Sequence, residues 1–182
     1  MLVGKKCPEA ELSGERWESI FRTDTPIAIL ERGCAVAEQA VQSLLVNAPF
    51  ARQGEGSVLK AVRQLGRLPD TLSRDIEGLA VRFGRMMGNN TVRIRLEGVT
   101  TDACRKLHTD YTDVRLITTY AGPGTEYRTT DDGELQRVPT TAIALVKGRL
   151  FPGGHPPCWH RSPPLNDTGE RRIVLVIDTP DG

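Results

Sequence analysis

The residues whose types and spacing best suit chemistry are two histidines and an aspartate in the second half of the chain. His108 and Asp110 stand one residue apart in the stretch LHTDYTD, just before a segment typical of a strand. Side chains at positions i and i+2 of a strand share a face, so an imidazole and a carboxylate there can bind one ion. A metal held by two histidines and one carboxylate needs a further ligand, and His160 follows Asp110 by 50 residues, which covers three or four strands. The pattern predicts a metal site of His108, Asp110 and His160.

Two arginines follow the second histidine at a spacing that suits an anion beside this metal. Arg171 and Arg172 come 11 and 12 residues after His160, at the start of the stretch RRIVLVID. A guanidinium can bind a carboxylate through two parallel hydrogen bonds. The alternation of a strand does not separate the two arginines, because each has apolar neighbours on its own face. We favour Arg172, since its neighbours Val174 and Val176 are small and would better line a ligand cavity.

An alternative set of ligands includes sulfur. Cys104 lies four residues before His108, and Cys158 lies two residues before His160. These four residues could bind zinc in a tetrahedral site, which would indicate a non-catalytic protein for metal handling or regulation. The competing interpretation is that both cysteines are small buried apolar residues. His155, in the stretch PGGHPP, is predicted to lie in a loop.

The elements that must position these residues are short and rich in β-branched side chains. Six segments after residue 90 are typical of strands separated by turns, and no helical pattern lies between them, which favours an antiparallel sandwich or barrel over a parallel sheet. The predicted strand segments are Thr91–Glu97, Asp113–Gly124, an irregular hairpin over Thr125–Val138, Thr141–Gly148, Cys158–Ser162 and Arg171–Asp178.

The first half of the chain is predicted to be mostly helical. Apolar residues recur with helical spacing over Glu31–Ala48 and over Thr71–Gly88, where Ser73 is a candidate N-cap. A strand is predicted for Pro26–Arg32. The expected fold class is α+β in a single domain over residues 1–182, with a helical N-terminal half, residues 1–90, packed on a C-terminal jelly roll, residues 91–182, that binds the metal.

The order of these motifs resembles that of a known enzyme superfamily. An HxD pair, about fifty residues, a histidine, about a dozen residues and an arginine are similar to the pattern of the iron(II)/2-oxoglutarate-dependent oxygenases. Their fold is the double-stranded β-helix, a cupin-like jelly roll. The stretches LHTD, TTYAGPGTEY, HRSPP and GERRIVLVID more narrowly resemble an uncharacterised bacterial domain family. The resemblance covers roughly Val92 to Asp178.

The resemblance implies a function and roles for the site residues. The metal would be iron(II), bound by the three predicted ligands, and the cosubstrate would be 2-oxoglutarate, whose far carboxylate would bind Arg172 or Arg171. Thr118 and Tyr120 have the same strand parity as His108 and Asp110, so their hydroxyls are predicted to reach the cosubstrate. The implied activity is that of a dioxygenase that oxidises a C–H bond of its substrate. A cupin-like protein that uses the same triad without 2-oxoglutarate is the alternative within this fold.

Composition excludes some classes of partner. The net charge is +1 and only 5% of the residues are aromatic, so neither an electrostatic nucleic-acid surface nor a platform for stacking bases is expected. The longest aliphatic run, Ile173–Ile177, is too short to span a membrane. The scattered cysteines and the absence of a signal-peptide pattern predict a cytoplasmic protein. The sequence leaves open whether the substrate is small or macromolecular, and what the oligomeric state is.

Overall fold

The computed structural model describes residues 14–33, 36–102, 104–155 and 158–180. The fold class is α+β, as predicted. Its helical elements are α1 (Gly14–Glu18), a 3-10 helix (Ser19–Phe21), α2 (Glu38–Val46), α3 (Val58–Gln64) and α4 (Asp70–Met86). Its strands are β1 (Ile27–Leu30), β2 (Phe50–Ser57), β3 (Thr91–Val99), β4 (Val114–Ala121), β5 (Glu126–Arg128), β6 (Gln136–Arg137), β7 (Ile143–Lys147), β8 (Trp159–Arg161) and β9 (Arg172–Asp178).

Six of the strands form a main sheet in the order β1-β7-β4-β9-β3-β2, and its neighbouring strands are antiparallel. Alternate side chains of these strands form an apolar face that packs against the helices in the larger core cluster. Burying each leucine or isoleucine of this cluster contributes roughly 1.5–3 kcal/mol. Its sheet side includes Ile94, Leu96, Leu116 and Leu175, and its helix side includes Trp17, Leu72, Ile76 and Phe83.

The opposite face of the main sheet is partly covered by a second sheet. This sheet has three strands in the order β6-β5-β8, again antiparallel. A smaller core cluster lies between the sheets and includes Ile117, Tyr127, Val174, Val176 and Cys158. The space between two antiparallel sheets is therefore where inward-facing side chains of β4, β8 and β9 meet.

The described residues of the first half form two strands as well as helices. β1 pairs with β7, and β2 pairs along its whole length with β3, so both belong to the main sheet. The first of them lies within the strand predicted for Pro26–Arg32, whereas β2 was not predicted. Its sequence, FARQGEGS, is polar on its exposed face, and Gly54 is required because a Cβ there would lie 2.0 Å from the carbonyl oxygen of Ala61.

The predicted helices differ from the observed ones mainly at their N-terminal ends. The helix expected over Glu31–Ala48 begins at Glu38, and Cys34 lies outside the described residues. The second helix begins at Asp70 with Pro69 at the N-cap position, so the prediction of Ser73 as the N-cap is wrong. No helix in the described part of the chain is both long enough and apolar enough to cross a membrane.

Candidate metal centre

Backbone pairing brings the two histidines together. His108 lies outside the named strands, yet its amide donates to the carbonyl of His160 at 3.0 Å, and the amide of His160 donates back at 2.9 Å. Since β8 also pairs with β5, this bridge connects the segment that contains His108 to the edge of the smaller sheet. The two imidazole rings lie with their centroids 4.7 Å apart.

The segment that carries Asp110 is held by the end of β7. The amides of Gly148, Arg149 and Leu150 donate to the carbonyls of Asp113, Asp110 and Thr112, at 2.8, 2.8 and 2.9 Å. A Cβ on Gly148 would lie 2.2 Å from the carbonyl oxygen of Thr112, so only glycine permits this approach. The aspartate side chain is thereby held beside the histidine pair although no strand contains it.

The three predicted ligands converge on one place. Asp110 Oδ1 lies 3.6 Å from His108 Nε2, and Asp110 Oδ2 lies 3.0 Å from His160 Nε2. The potential ligand atoms all lie within 4.8 Å of one another, and these residues are the only such group in the part of the chain that the structure describes. The carboxylate and the imidazole of His160 are buried, whereas His108 is partly exposed.

Backbone carbonyls orient both rings. His108 Nδ1 lies 3.0 Å from the carbonyl oxygen of Lys106, and His160 Nδ1 lies 3.4 Å from that of Cys158. Because a carbonyl only accepts, these contacts favour the tautomer with hydrogen on Nδ1 and a lone pair on Nε2. Metal-binding histidines commonly donate their other ring nitrogen in this way.

A buried oxygen of Asp110 tests whether a metal fits this set. Asp110 Oδ2 forms no hydrogen bond to any described residue, although His160 Nε2 is only 3.0 Å away. With lone pairs on both atoms, this contact would be unfavourable, and a buried carboxylate oxygen without a partner is costly. A cation bound between the three side chains would satisfy the oxygen and both nitrogens. The residues present therefore fit a divalent metal.

Arg115, which the sequence analysis did not single out, fixes the carboxylate. Its Nη1 lies 2.5 Å from Asp110 Oδ1, and its Nε and Nη2 donate to the Asp178 carboxylate at 2.6 and 3.0 Å. Burial alone would raise the pKa of Asp110, but positive charge on its neighbours, namely His160 when its ring is protonated, Arg115, and His108 when protonated, lowers that pKa to about 2. The carboxylate is thus kept ionised and ready to bind a cation.

Arg172 lies on the inner face of β9 with only 2% of its surface exposed. Its Nη1 donates to Ser162 Oγ at 2.8 Å, and its Nη2 donates to the hydroxyls of Thr119 and Thr125 at 3.0 and 2.6 Å. Burial lowers its pKa to about 10, against the opposing effect of two glutamates. No described carboxylate forms an ion pair with it, so this buried guanidinium contacts neutral hydroxyls and is open to an anion.

One small cavity connects Arg172 with the histidines. It has a volume of about 80 Å³ and an apolar floor of Ile117, Val174 and Val176 between its two ends. Larger surface pockets, of about 580, 600 and 400 Å³, include residues of α4 and none of the three candidate ligands. The cavity is lined by Arg95, Glu97, Cys104, His108, Arg115, Ile117, Thr125, His160, Arg161, Ser162, Arg172, Val174 and Val176.

The other predicted arginine points away from this cavity. Arg171 is exposed, and its Nη1 donates to the carbonyls of Leu45 and Val46 at 3.2 and 3.0 Å, at the C-terminal end of α2. It therefore helps to satisfy the last carbonyls of a helix. Arg172 lines the cavity, and its role with a cosubstrate stays a prediction.

The predicted orientation of Thr118 and Tyr120 is wrong. Tyr120 Oη donates to Asp75 Oδ2 on α4 at 2.6 Å, and Thr118 accepts a hydrogen bond of 3.4 Å from Arg32, so both face the helical layer. The neighbouring Thr119 instead accepts a hydrogen bond from Arg172, which lines the cavity. The parity counted from His108 fails because residues 109–113 are not extended strand, and β4 begins only at Val114.

The two cysteines do not join the histidines. The Cys158 side chain is fully buried in the smaller core cluster, with its sulfur near the carbonyls of Arg128 and Trp159, and burial raises its thiol pKa to about 12. Cys104 is exposed at the rim of the cavity and is absent from the group of converging ligand atoms. The alternative zinc site with two sulfur ligands is therefore not formed by the described residues.

Solved structures of iron(II)/2-oxoglutarate-dependent oxygenases share this fold. AtDAO1, the dioxygenase for auxin oxidation 1 from Arabidopsis thaliana, solved with 2-oxoglutarate, is 13% identical with a TM-score of 0.54, over 86% of this chain and 83% of that one. JOX2, solved with 2OG, Fe and JA, is 11% identical with a TM-score of 0.55, over 90% and 70%. A prolyl-4-hydroxylase from Pseudomonas putida is 11% identical with a TM-score of 0.52, over 90% and 96%.

Sequence comparison places the chain more narrowly. None of the curated proteins matches it significantly. A family model described as a protein of unknown function, DUF1826, matches residues 18–178, which include both sheets and every residue of the metal centre. The resemblance to an uncharacterised domain family within the oxygenase fold is thus confirmed, and the chain belongs to the DUF1826 family.

Proposed function

We propose that this chain is an iron(II)/2-oxoglutarate-dependent oxygenase that carries out hydroxylase-type oxidation of its substrate. One observation carries the proposal. A triad of two histidines and a carboxylate lies at one end of a small cavity, and a buried arginine with only hydroxyl partners lies at the other. Two imidazoles and one carboxylate with open positions are typical of non-haem iron(II) oxygenases.

His108, Asp110 and His160 would hold the iron. When bound, iron(II) would supply the redox chemistry that couples oxidation of a substrate C–H bond to oxidative decarboxylation of 2-oxoglutarate by O₂. The chain's own part at this end is to present two Nε2 lone pairs and an ionised carboxylate in fixed positions. The carbonyls behind the rings and the guanidinium of Arg115 do this before any metal arrives.

Arg172 would bind the far carboxylate of 2-oxoglutarate. The hydroxyls of Ser162, Thr119 and Thr125 hold its guanidinium in one orientation, so little side-chain freedom is lost when an anion binds. In the buried cavity an arginine–carboxylate pair is screened much less than at the surface. The apolar floor between the arginine and the triad would exclude water from the carbon chain of the keto acid.

The test is the visible spectrum of the anaerobic protein. Adding Fe(II) and then 2-oxoglutarate should give the weak metal-to-ligand charge-transfer band of a chelated keto acid. Arg172→Met should bind iron but require a much higher concentration of 2-oxoglutarate for the same band. Arg171→Met is the matched control, because that neighbouring arginine contacts α2 and should leave the titration unchanged. Folded, iron-loaded protein that gives no band at saturating 2-oxoglutarate would contradict the proposal.

A further inference from the structure

Arg95 on β3 lines the cavity, and its guanidinium forms no side-chain hydrogen bond with a described residue. Its Nη1 lies 3.8 Å from Glu97 Oε1, and its Nη2 lies 3.8 Å from Asp178 Oδ2. Both distances exceed those of hydrogen bonds, and none of its side-chain donors has a hydrogen-bond partner among the described residues. About a third of its side chain is exposed, yet it lines the same cavity as the histidines.

The sheet register places Arg95 beside the metal end of the cavity. It pairs with Val176 on β9, whereas Arg172 pairs with Val99, four positions further along β3. Its contact with Asp178 is also informative, because that carboxylate binds Arg115, which in turn binds the metal ligand Asp110. Arg95 therefore flanks the reacting end, well separated from the proposed cosubstrate arginine.

Among the residues that the structure describes, the main sheet ends on this flank. The strand next to β3 is β2, which is the last strand of the main sheet. Gln53 of β2 pairs with Arg95 and is exposed, so the sheet continues outward from the cavity as a polar, accessible surface. A ligand that approaches the metal centre across this surface meets Arg95.

Two of the other three arginines that line the cavity form ion pairs with carboxylates. Arg115 binds two carboxylates, and Arg161 donates to Glu126 at 2.7 Å. Arg172 is buried at the far end, where the proposed function assigns it to 2-oxoglutarate. Glu97 is the one lining acid near Arg95, and at 3.8 Å it does not form a hydrogen bond with it.

We propose that the substrate of this centre carries an oxyanion, a carboxylate or a phosphate, that Arg95 binds beside the metal. This inference rests on the proposed function, since it assigns the open side of the cavity to the substrate. A guanidinium with free donors at a partly desolvated position suits such a group through two parallel hydrogen bonds.

The test uses inorganic phosphate as the probe, with Mn(II) in the metal centre and 2-oxoglutarate at saturation. Phosphate bound beside Mn(II) should show a saturable enhancement of ³¹P relaxation. In Arg95→Gln the phosphate affinity should fall about tenfold, the loss expected for a hydrogen-bonded charge pair. Arg93→Gln is the matched control, because Arg93 lies two residues earlier with a similarly exposed side chain but is bonded to Glu55 and Pro180. Absence of saturable enhancement, or equal affinity in Arg95→Gln, would overturn the proposal.

A second variant keeps the test independent of how well Arg95→Gln folds. Glu97→Gln removes one of the two carboxylates that lie 3.8 Å from Arg95, so phosphate binding should become several-fold tighter, and no gain would contradict the assignment. Failure of the proposed function is recognised separately. In that case 2-oxoglutarate gives no charge-transfer band with Fe(II), while the phosphate titrations of the Mn(II) protein still report on Arg95.

Discussion

The two carboxylate oxygens of Asp110 have different neighbours. Oδ1 accepts from Arg115, whereas Oδ2 faces His160 and has no hydrogen bond to a described residue. Because Arg115 binds one oxygen and no described residue donates to the other, the second oxygen is available to bind a metal. The guanidinium of Arg115 is therefore a positioning group, since it would act on a bound metal through the carboxylate.

Replacing Arg115 with lysine tests this role. Lysine keeps the charge but cannot span two carboxylates as the planar guanidinium does. We expect Arg115→Lys to lower Mn(II) affinity by about 10–100-fold, the range found for partners of metal ligands. Competition with a chromophoric chelator measures this affinity, and Arg171→Lys serves as the control on the outer face. Equal Mn(II) affinity in Arg115→Lys and the parent protein would show that Asp110 is positioned by other contacts.

At the scale of elements, the candidate centre depends on hydrogen bonds between the turn after β7 and the loop that precedes β4. The turn after β7 donates three amides to the segment that carries Asp110, and Gly148 makes the approach possible. Side chains add to these contacts, since Arg115 of β4 binds the Asp110 carboxylate and Thr179 donates to Asp113 at 3.2 Å. The position of the carboxylate therefore depends partly on backbone contacts at some distance from the other two candidate ligands.

Gly148→Ala should disturb the contact between these two segments. The added methyl group would lie against the Thr112 carbonyl, so the two segments must separate, at a cost of about 1–3 kcal/mol in the free energy of unfolding. Metal affinity should fall as well, because Asp110 moves with its segment. Gly78→Ala in α4 is the control, since its Cβ meets nothing within 4 Å and should leave metal binding unchanged. Urea unfolding and a Mn(II) titration of both variants measure the two effects. If Gly148→Ala and Gly78→Ala have the same stability and the same Mn(II) affinity, the close approach at Gly148 does not position Asp110.

The sequence predicted the elements of the second half well, because β-branched runs and turn residues delimit them. It also grouped His108, Asp110 and His160, whose potential ligand atoms lie within 4.8 Å of one another, although the extended strand assumed for His108–Asp110 is not observed. It failed where alternation was counted across an irregular segment, which reversed Thr118 and Tyr120. It also missed β2, whose glycines and polar residues are justified only by its pairing with β3 and its contact with α3.

For the whole molecule, the candidate metal centre joins distant parts of the chain. Two ligands precede β4, and the third lies on β8 in the smaller sheet. A metal that binds all three stabilises only the folded state, by about 2.7 kcal/mol at one hundred times its dissociation constant. For a protein of this size, that free energy corresponds to a rise in Tm of roughly 5–10 °C.

Removing the metal should therefore lower the melting temperature. We expect protein treated with EDTA to melt roughly 5–10 °C below the same protein with excess Mn(II). In Asp110→Ala the two conditions should give nearly the same melting temperature, because one of the three ligands is missing. Differential scanning calorimetry measures both. An equally large metal effect in Asp110→Ala would mean that the ion binds elsewhere.

The reciprocal hydrogen bonds between His108 and His160 involve peptide groups alone. The spacing of these two positions therefore survives replacement of either side chain. Other ligand side chains can therefore be introduced at both positions while the backbone keeps them adjacent. This makes the centre a practical starting point for redesigning which ion the protein selects.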